Sequence, residues 1–184
     1  SCFSCSPEEW NEIRRREIGM IWQDYKLIEH YTVMDNVIMA LRIAGMEENA
    51  QEKAVNALRR AGLKDYENHK AGQLSSGQKQ RLSIARALAK NTDIIVADEP
   101  TGNLDSETGE QIVEILERLS HEKLVIMVTH NYDQAEPYVT RRIRLHDGEV
   151  VTDVPVNKRD ENVDQDHRNP SEGEIKSNSG EKTK

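Results

Sequence analysis

Ile94-Ile95-Val96-Ala97-Asp98-Glu99 is a run of four apolar residues, three of them β-branched, that ends in two adjacent acids. So short an apolar run, without polar alternation, is the pattern of a strand covered on both faces, as in parallel sheets. A parallel strand delivers its carboxyl end to the sheet edge where ligands bind. Two carboxylates there can divide the labour: one holds Mg²⁺, and the next orients or deprotonates a water. Taken alone, the hexamer equally describes a strand that ends in a solvated acidic turn.

Outward from this strand, extended and helical periodicities alternate. Ile18 to Trp22 reads as a short strand and Leu124 to Val128 as another buried one. Val33, Val37, Ile38 and Leu41 recur at helical spacing and stop at Gly45. Ala54, Leu58 and Ala61 continue a second helix to Gly62, and Leu82, Ile84, Ala85 and Leu88 mark a third that opens near Ser76. Ile112, Ile115, Leu116 and Leu119 mark a fourth, with Ser106 as its N-cap. Arg141 to Leu145 and Glu149 to Val154 flank a turn at Asp147-Gly148. Apolar strands alternating with helices predict an α/β fold with a parallel sheet. The helices between Thr32 and Gly62 have no strand between them, so they read as a helical insertion.

The 184 residues suffice for one domain. The longest apolar runs are far short of the ~20 residues a membrane span needs, so no direct membrane insertion is expected. No apolar segment follows a basic start, so no signal peptide is read. Acids outnumber bases, 33 to 25, for a net charge of −8. A protein that lives on phosphate contacts to DNA or RNA is expected to be basic, so nucleic acid is excluded as the main partner. Cys2 and Cys5 form a C-x-x-C without the second pair a zinc site requires, and without the strand that precedes a redox motif. They read as incidental, and the absence of further cysteines suits a reducing compartment. From Asn157 to Lys184 only Val163 and Ile175 are clearly apolar. That composition cannot offset its ordering entropy and predicts a disordered tail, with a folded part from about Pro7 to Val156.

Four other short segments gain meaning beside the acidic strand end. Leu74-Ser75-Ser76-Gly77-Gln78 opens a helix with small residues, an arrangement that offers backbone N–H groups and a positive dipole end to a phosphate. Pro100-Thr101-Gly102-Asn103-Leu104-Asp105 follows the acids. Thr129-His130 follows the strand Leu124 to Val128, and Gln23 follows the strand at Ile18. Each alone describes an ordinary capped helix or surface residue. In this order and spacing the chain resembles the ATP-binding cassette ATPases. Leu74 to Gln78 matches their signature motif and Ile94 to Glu99 their Walker B strand. Leu104-Asp105 looks like the D-loop, His130 the switch histidine and Gln23 the Q-loop glutamine. The run from Glu99 to Asp105 is characteristic of the branch serving lipoprotein-release, macrolide and peptide exporters. The resemblance covers roughly residues 7 to 153.

The resemblance implies a P-loop NTPase (RecA-like) parallel sheet core with an inserted helical subdomain. It divides the chain into residues 1–26, a part of the core with the Q-loop; 27–90, the helical subdomain and signature helix; 91–156, the Walker B, D-loop and H-loop part; and the tail 157–184. Two departures stand out. Ser76 replaces the first glycine of the signature. No G-x-x-x-x-G-K-[ST] occurs; Gly72 to Lys79 comes nearest, with its lysine one place late and no Ser or Thr after it. The adenine-stacking aromatic is likewise expected upstream of Gln23. The chain therefore reads as an N-terminally truncated cassette, from a gene fragment, a split subunit or a shortened chain, and by itself is expected not to turn over.

The resemblance further implies ATP and Mg²⁺ as ligands. Glu99 would be the general base and His130 a γ-phosphate contact. Asp98 and Gln23 would hold Mg²⁺, and Asp105 would link two sites. Ser75, Ser76, Gly77 and Gln78 would cover the nucleotide of a second ATPase domain paired head to tail. A membrane permease on a separate chain would be the other partner, at the cytoplasmic face of the cell membrane. Two rival readings stay open: a non-catalytic remnant, and a cassette ATPase that acts on DNA or ribosomes instead of a transporter. By the same resemblance, the strand that leads into the P-loop would pair with Leu124 to Val128, which stands at a sheet edge without it.

Overall fold

The structure is a computed structural model in which residues 5–156 are described. The expected tail from Asn157 and Cys2 of the C-x-x-C lie outside these residues. Ile18–Ile21 (β1), Ile94–Asp98 (β2) and Leu124–Val128 (β3) form a parallel sheet in the order β1-β2-β3. The register sets Ile95 between Gly19 and Val125, and Asp98 beside Val128. The β-branched run of β2 thus takes the central place, where both neighbours satisfy its backbone.

The helices are Pro7–Arg16 (α1), Val33–Ile43 (α2), Ala50–Arg60 (α3), Ser76–Ala89 (α4), Ser106–Ser120 (α5) and the short Tyr132–Ala135 (α6). α2 and α3 follow one another without a strand between them, as expected of the insertion. Gly45 and Gly62 end them in left-handed backbone, where a Cβ is disfavoured. α4 is the centre of the packing. Leu82, Ser83, Ile84 and Ala85 are all buried, so this helix is covered on nearly every side, by α2, α3, α5 and β1. Leu41 and Leu58 from the insertion, Ile95 from the sheet and Ile112 from α5 meet it in one continuous core.

Three sequence expectations need correction. α1 was not anticipated, because its apolar residues are only Trp10 and Ile13 and none of its residues is fully buried. Its signals are at its ends: Ser6 forms a capping box with Glu9, Pro7 opens the helix, and Arg14 to Arg16 suit the negative dipole end. α5 is capped by Asp105, not Ser106; the Asp105 carboxylate accepts from the Thr108 N–H at 2.9 Å and its hydroxyl at 2.7 Å. β3 is covered on one face only. Val125 and Met127 pack on the core, whereas Leu124, Ile126 and Val128 are 58%, 46% and 53% exposed. The expectation that β3 stands at an edge holds among the described residues.

Arg141–His146 (β4) and Glu149–Pro155 (β5) pair antiparallel as a separate two-stranded sheet. Asp147 and Gly148 both have positive φ, 49° and 81°, the backbone of a tight hairpin turn.

An edge strand with an exposed apolar face is a template for association. The 184-residue chain is expected to self-associate in dynamic light scattering, and Ile126→Lys to shift it toward monomer. Since Ile126 is half exposed, its thermal transition should change by no more than about 0.5 kcal/mol equivalent. Unchanged association would show that β3 is not the contact.

Candidate functional site

The carboxyl end of β2 is shaped by one backbone reversal. Glu99 has φ 44°, a left-handed conformation that is uncommon for a residue with a Cβ. Its N–H donates to Val128 O at 2.9 Å, extending the pairing with β3 by one step. Gly102 N–H then donates to Glu99 O at 3.1 Å and Leu104 N–H to Thr101 O at 3.1 Å, so residues 99–105 form successive tight turns over buried Pro100.

This reversal directs the Glu99 side chain to the end of β3. The backbone N–H of His130 donates to Glu99 Oε1 at 2.9 Å, and His130 Nδ1 lies 2.9 Å from the same oxygen. Glu99 Oε2 is buried and has no hydrogen-bond partner among the described residues. The His130 side chain is 76% exposed. One carboxylate oxygen is thus fixed while the other keeps its capacity for a water or ligand proton.

Gln23 closes the other side. Asn103 Nδ2 donates to Gln23 O at 2.9 Å, and a Cβ placed on Gly102 would lie 2.9 Å from Gln23 Nε2. Gly102 is therefore where the Gln23 amide and the 99–105 loop lie in contact, so that a Cβ there would displace the Gln23 amide. Asp98, at the last position of β2, makes no side-chain hydrogen bond or ion pair with the described residues and stands beside Val128 in register. Among the described residues no group of three or more His, Cys, Asp or Glu side chains could hold a metal by itself. Asp98, at the end of β2, and the Gln23 amide instead fit Mg²⁺, which keeps most of its shell as water and phosphate oxygens.

The signature residues lie at the start of α4. Ser75 Oγ accepts from the Gln78 N–H at 3.3 Å, and Gln78 Oε1 accepts from the Ser75 N–H at 3.0 Å. That box leaves the N–H groups of Ser76 and Gly77 without an intrahelical acceptor, as at every helix start. Gly77 faces α5: a Cβ there would lie 2.4 Å from Thr108 Cγ2. The structure thus brings Gln23, Asp98, Glu99 and His130 to one sheet edge, and Ser75 to Gln78 beside the α5 turn that Asp105 caps. Residues 99–105 run between the two groups. Hydrogen bonds from the Thr108 N–H and hydroxyl hold the Asp105 carboxyl below its ordinary range. The sign follows: the cap stabilises α5 above the ordinary carboxylate value and is lost as pH falls through the lowered one.

Sequence reasoning did not single out Asn103, Asn36 or Thr108. Asn36 is buried; its Oδ1 accepts from the Ile28 N–H at 2.9 Å, and its Nδ2 donates to Ile28 O at 3.0 Å and Thr32 O at 2.9 Å. Arg86 donates to Tyr25 O and Lys26 O, and burial pushes its guanidinium down to about 10. A polar residue on an otherwise apolar helix face was the available signal for both.

Gly77→Ala is expected to lower stability by about 1–2 kcal/mol, since the clash with Thr108 outweighs the helix propensity gained. Thr108→Ser removes Cγ2 but keeps the hydroxyl that Asp105 accepts from. Adding it to Gly77→Ala should recover most of the loss in urea melts.

A protein-family model described as "ABC transporter" matches residues 4–102. The lipoprotein-releasing system ATP-binding protein LolD of Syntrophus aciditrophicus is 41% identical over 153 residues, which are 82% of this chain and 68% of that protein. The ABC transporter ATP-binding protein MJ0796 of Methanocaldococcus jannaschii is 45% identical over 150 residues, 78% of this chain and 63% of that one. The macrolide export ATP-binding/permease protein MacB of Bartonella henselae is 41% identical over 152 residues, and this chain spans 23% of its length. A dimeric post-hydrolysis structure of the MJ0796 cassette bound to ADP and Pi superposes with a TM-score of 0.71 at 39% identity, over 84% of this chain and 69% of that one.

Proposed function

The chain belongs to the ABC transporter family, in the LolD and MacB branch of ATP-binding components, and from this we propose that it carries the water-activating edge and the signature of an export ATPase. The observation that supports this most is the state of Glu99. A carboxylate in left-handed backbone, with Oε1 held by His130 and Oε2 buried without a partner, is pre-organised to accept a proton from a water.

In this reading Glu99 is the general base. Asp98 and Gln23 would hold Mg²⁺, which when bound would neutralise phosphate charge. His130 keeps Glu99 oriented through its N–H and offers its exposed ring to the terminal phosphate. Ser75 to Gln78 present the free N–H groups of α4 to the nucleotide of a second cassette, and Asp105 joins the two sites through the 99–105 loop. The pairing of two cassettes draws support from the dimeric MJ0796 structure. A membrane permease is the proposed second partner, and no helix among the described residues is long and apolar enough to cross a membrane. The cytoplasmic face of the membrane is the proposed location. The transported substrate is a lipoprotein, peptide or drug, the classes the branch serves.

The non-catalytic reading keeps one specific observation in its favour: these 184 residues contain no G-x-x-x-x-G-K-[ST]. Those backbone N–H groups and that lysine make most of a phosphate cradle. Calorimetry of the 184-residue chain with Mg-ATP should therefore find millimolar or weaker affinity, and micromolar binding would refute this account of the site. In a protein carrying this chain together with a phosphate-binding loop, Glu99→Gln should lower hydrolysis by about 10²–10⁴-fold while leaving ATP binding intact. Parent-like hydrolysis by that variant would remove Glu99 from the role of base.

A further inference from the structure

Gln23 is followed by an unusual backbone. Tyr25 and Lys26, neither of them glycine, have φ 60° and 48° in succession. Each left-handed residue with a Cβ is disfavoured, and such conformations persist only where the surroundings over-determine them. The local contacts are two backbone hydrogen bonds, Tyr25 N–H to Trp22 O at 3.2 Å and Lys26 N–H to Asp24 O at 2.6 Å, and an exposed Lys26–Asp24 ion pair. The long-range contact is Arg86, near the end of α4. Its Nη2 donates to Tyr25 O and its Nη1 to Lys26 O at 2.5 Å, so one planar fork grips the two successive carbonyls of the strained pair. Its Nε is buried without a partner, so Arg86 sits in this place at a desolvation cost that these carbonyls offset.

We infer that Arg86 is a positioning residue. From α4 it fixes the path of the chain after Gln23, so that the helix that opens with Ser75 to Gln78 and the loop that carries Gln23 act as one body. The inference rests on the reading of Gln23 as a site residue and adds what places it. Two further contacts run the same way. Lys79 Nζ lies 3.1 Å from Glu29 Oε1, again joining α4 to this loop, and Asn36 holds Ile28 from α2. The Gln23 amide then lies against Gly102. A loop free to relax at Tyr25 and Lys26 would not keep it there.

Hydrogen exchange by mass spectrometry on the 184-residue chain tests this without any nucleotide, so its failure and that of the ATPase reading are separate events. Arg86→Ala should raise exchange about tenfold or more at residues 24–31 while β2 and α5 keep parent-like protection. Arg86→Lys, with one ammonium in place of a fork, should fall between. Lys26→Gly in the Arg86→Ala background should restore protection, because glycine takes the left-handed conformation without steric cost; the exposed ion pair it removes contributes little. If Arg86→Ala does not fold, Arg86→Lys and its combination with Lys26→Gly carry the test. Parent-like exchange at 24–31 in a folded variant would overturn the inference. So would a uniform rise across the chain that Lys26→Gly does not reverse, which is the signature of a packing residue.

Discussion

The candidate site hangs on the hydrogen bond from Glu99 N–H to Val128 O. It extends the β2–β3 pairing one residue past the strand, into a residue whose φ is positive. A bond at that position forces the chain to turn back immediately, and the turn sends the Glu99 carboxylate toward His130 instead of into solvent. The same reversal brings Gly102 under the Gln23 amide and Asn103 within reach of Gln23 O. Parallel register is the deeper cause. Because Asp98 pairs with Val128, the two residues that follow those strands, Glu99 and Thr129, leave the sheet at the same height, and His130 arrives beside the carboxylate.

α4 performs the matching task for the helices. It is buried on most of its circumference, yet several contacts of the helix and its C-cap Lys90 are polar or backbone-limited, not apolar. Gly77 admits the first turn of α5, Arg86 grips Tyr25 and Lys26, and the ammonium of Lys90 donates to Ile18 O at 2.6 Å at the start of β1. Apolar burial decides that α4 lies in the middle, since it is non-directional. The directional contacts decide its rotation and its height, and therefore where the N–H groups of Ser76 and Gly77 point.

Much of this was legible in the sequence. Periodicity placed β1, β2, β3 and the four longer buried helices, because each has an apolar face that only one geometry can bury. Motif order named Gln23, Asp98, Glu99 and His130. α1 was illegible for the same reason stated in reverse: its apolar residues are only Trp10 and Ile13, and none of its residues is fully buried. Asp105 and Ser106 are both good caps by type, and only the geometry of Thr108 chooses between them. The roles of Arg86 and Asn36 were hidden more deeply. Their partners are main-chain groups of Tyr25, Lys26 and Ile28, and a carbonyl has no letter in the sequence.

The costs in this molecule are not spread evenly. A left-handed residue with a Cβ costs on the order of 1–3 kcal/mol, and a buried polar oxygen without a partner a further ~1–3 kcal/mol. Glu99 bears both. Replacing it with glycine would relieve the first, and with glutamine would change the second, so folding alone gives no reason for a glutamate here. Tyr25 and Lys26 carry the first cost twice, next to Gln23. Local strain beside an otherwise consistent pattern of strands, caps and apolar faces is what a sequence shaped for a reaction leaves behind. The Glu99 turn and the amide of Gln23, two residues before Tyr25, touch at Gly102. The position of that contact, at the carboxyl edge of a parallel sheet, is independent of any motif, and it leads to the same residues.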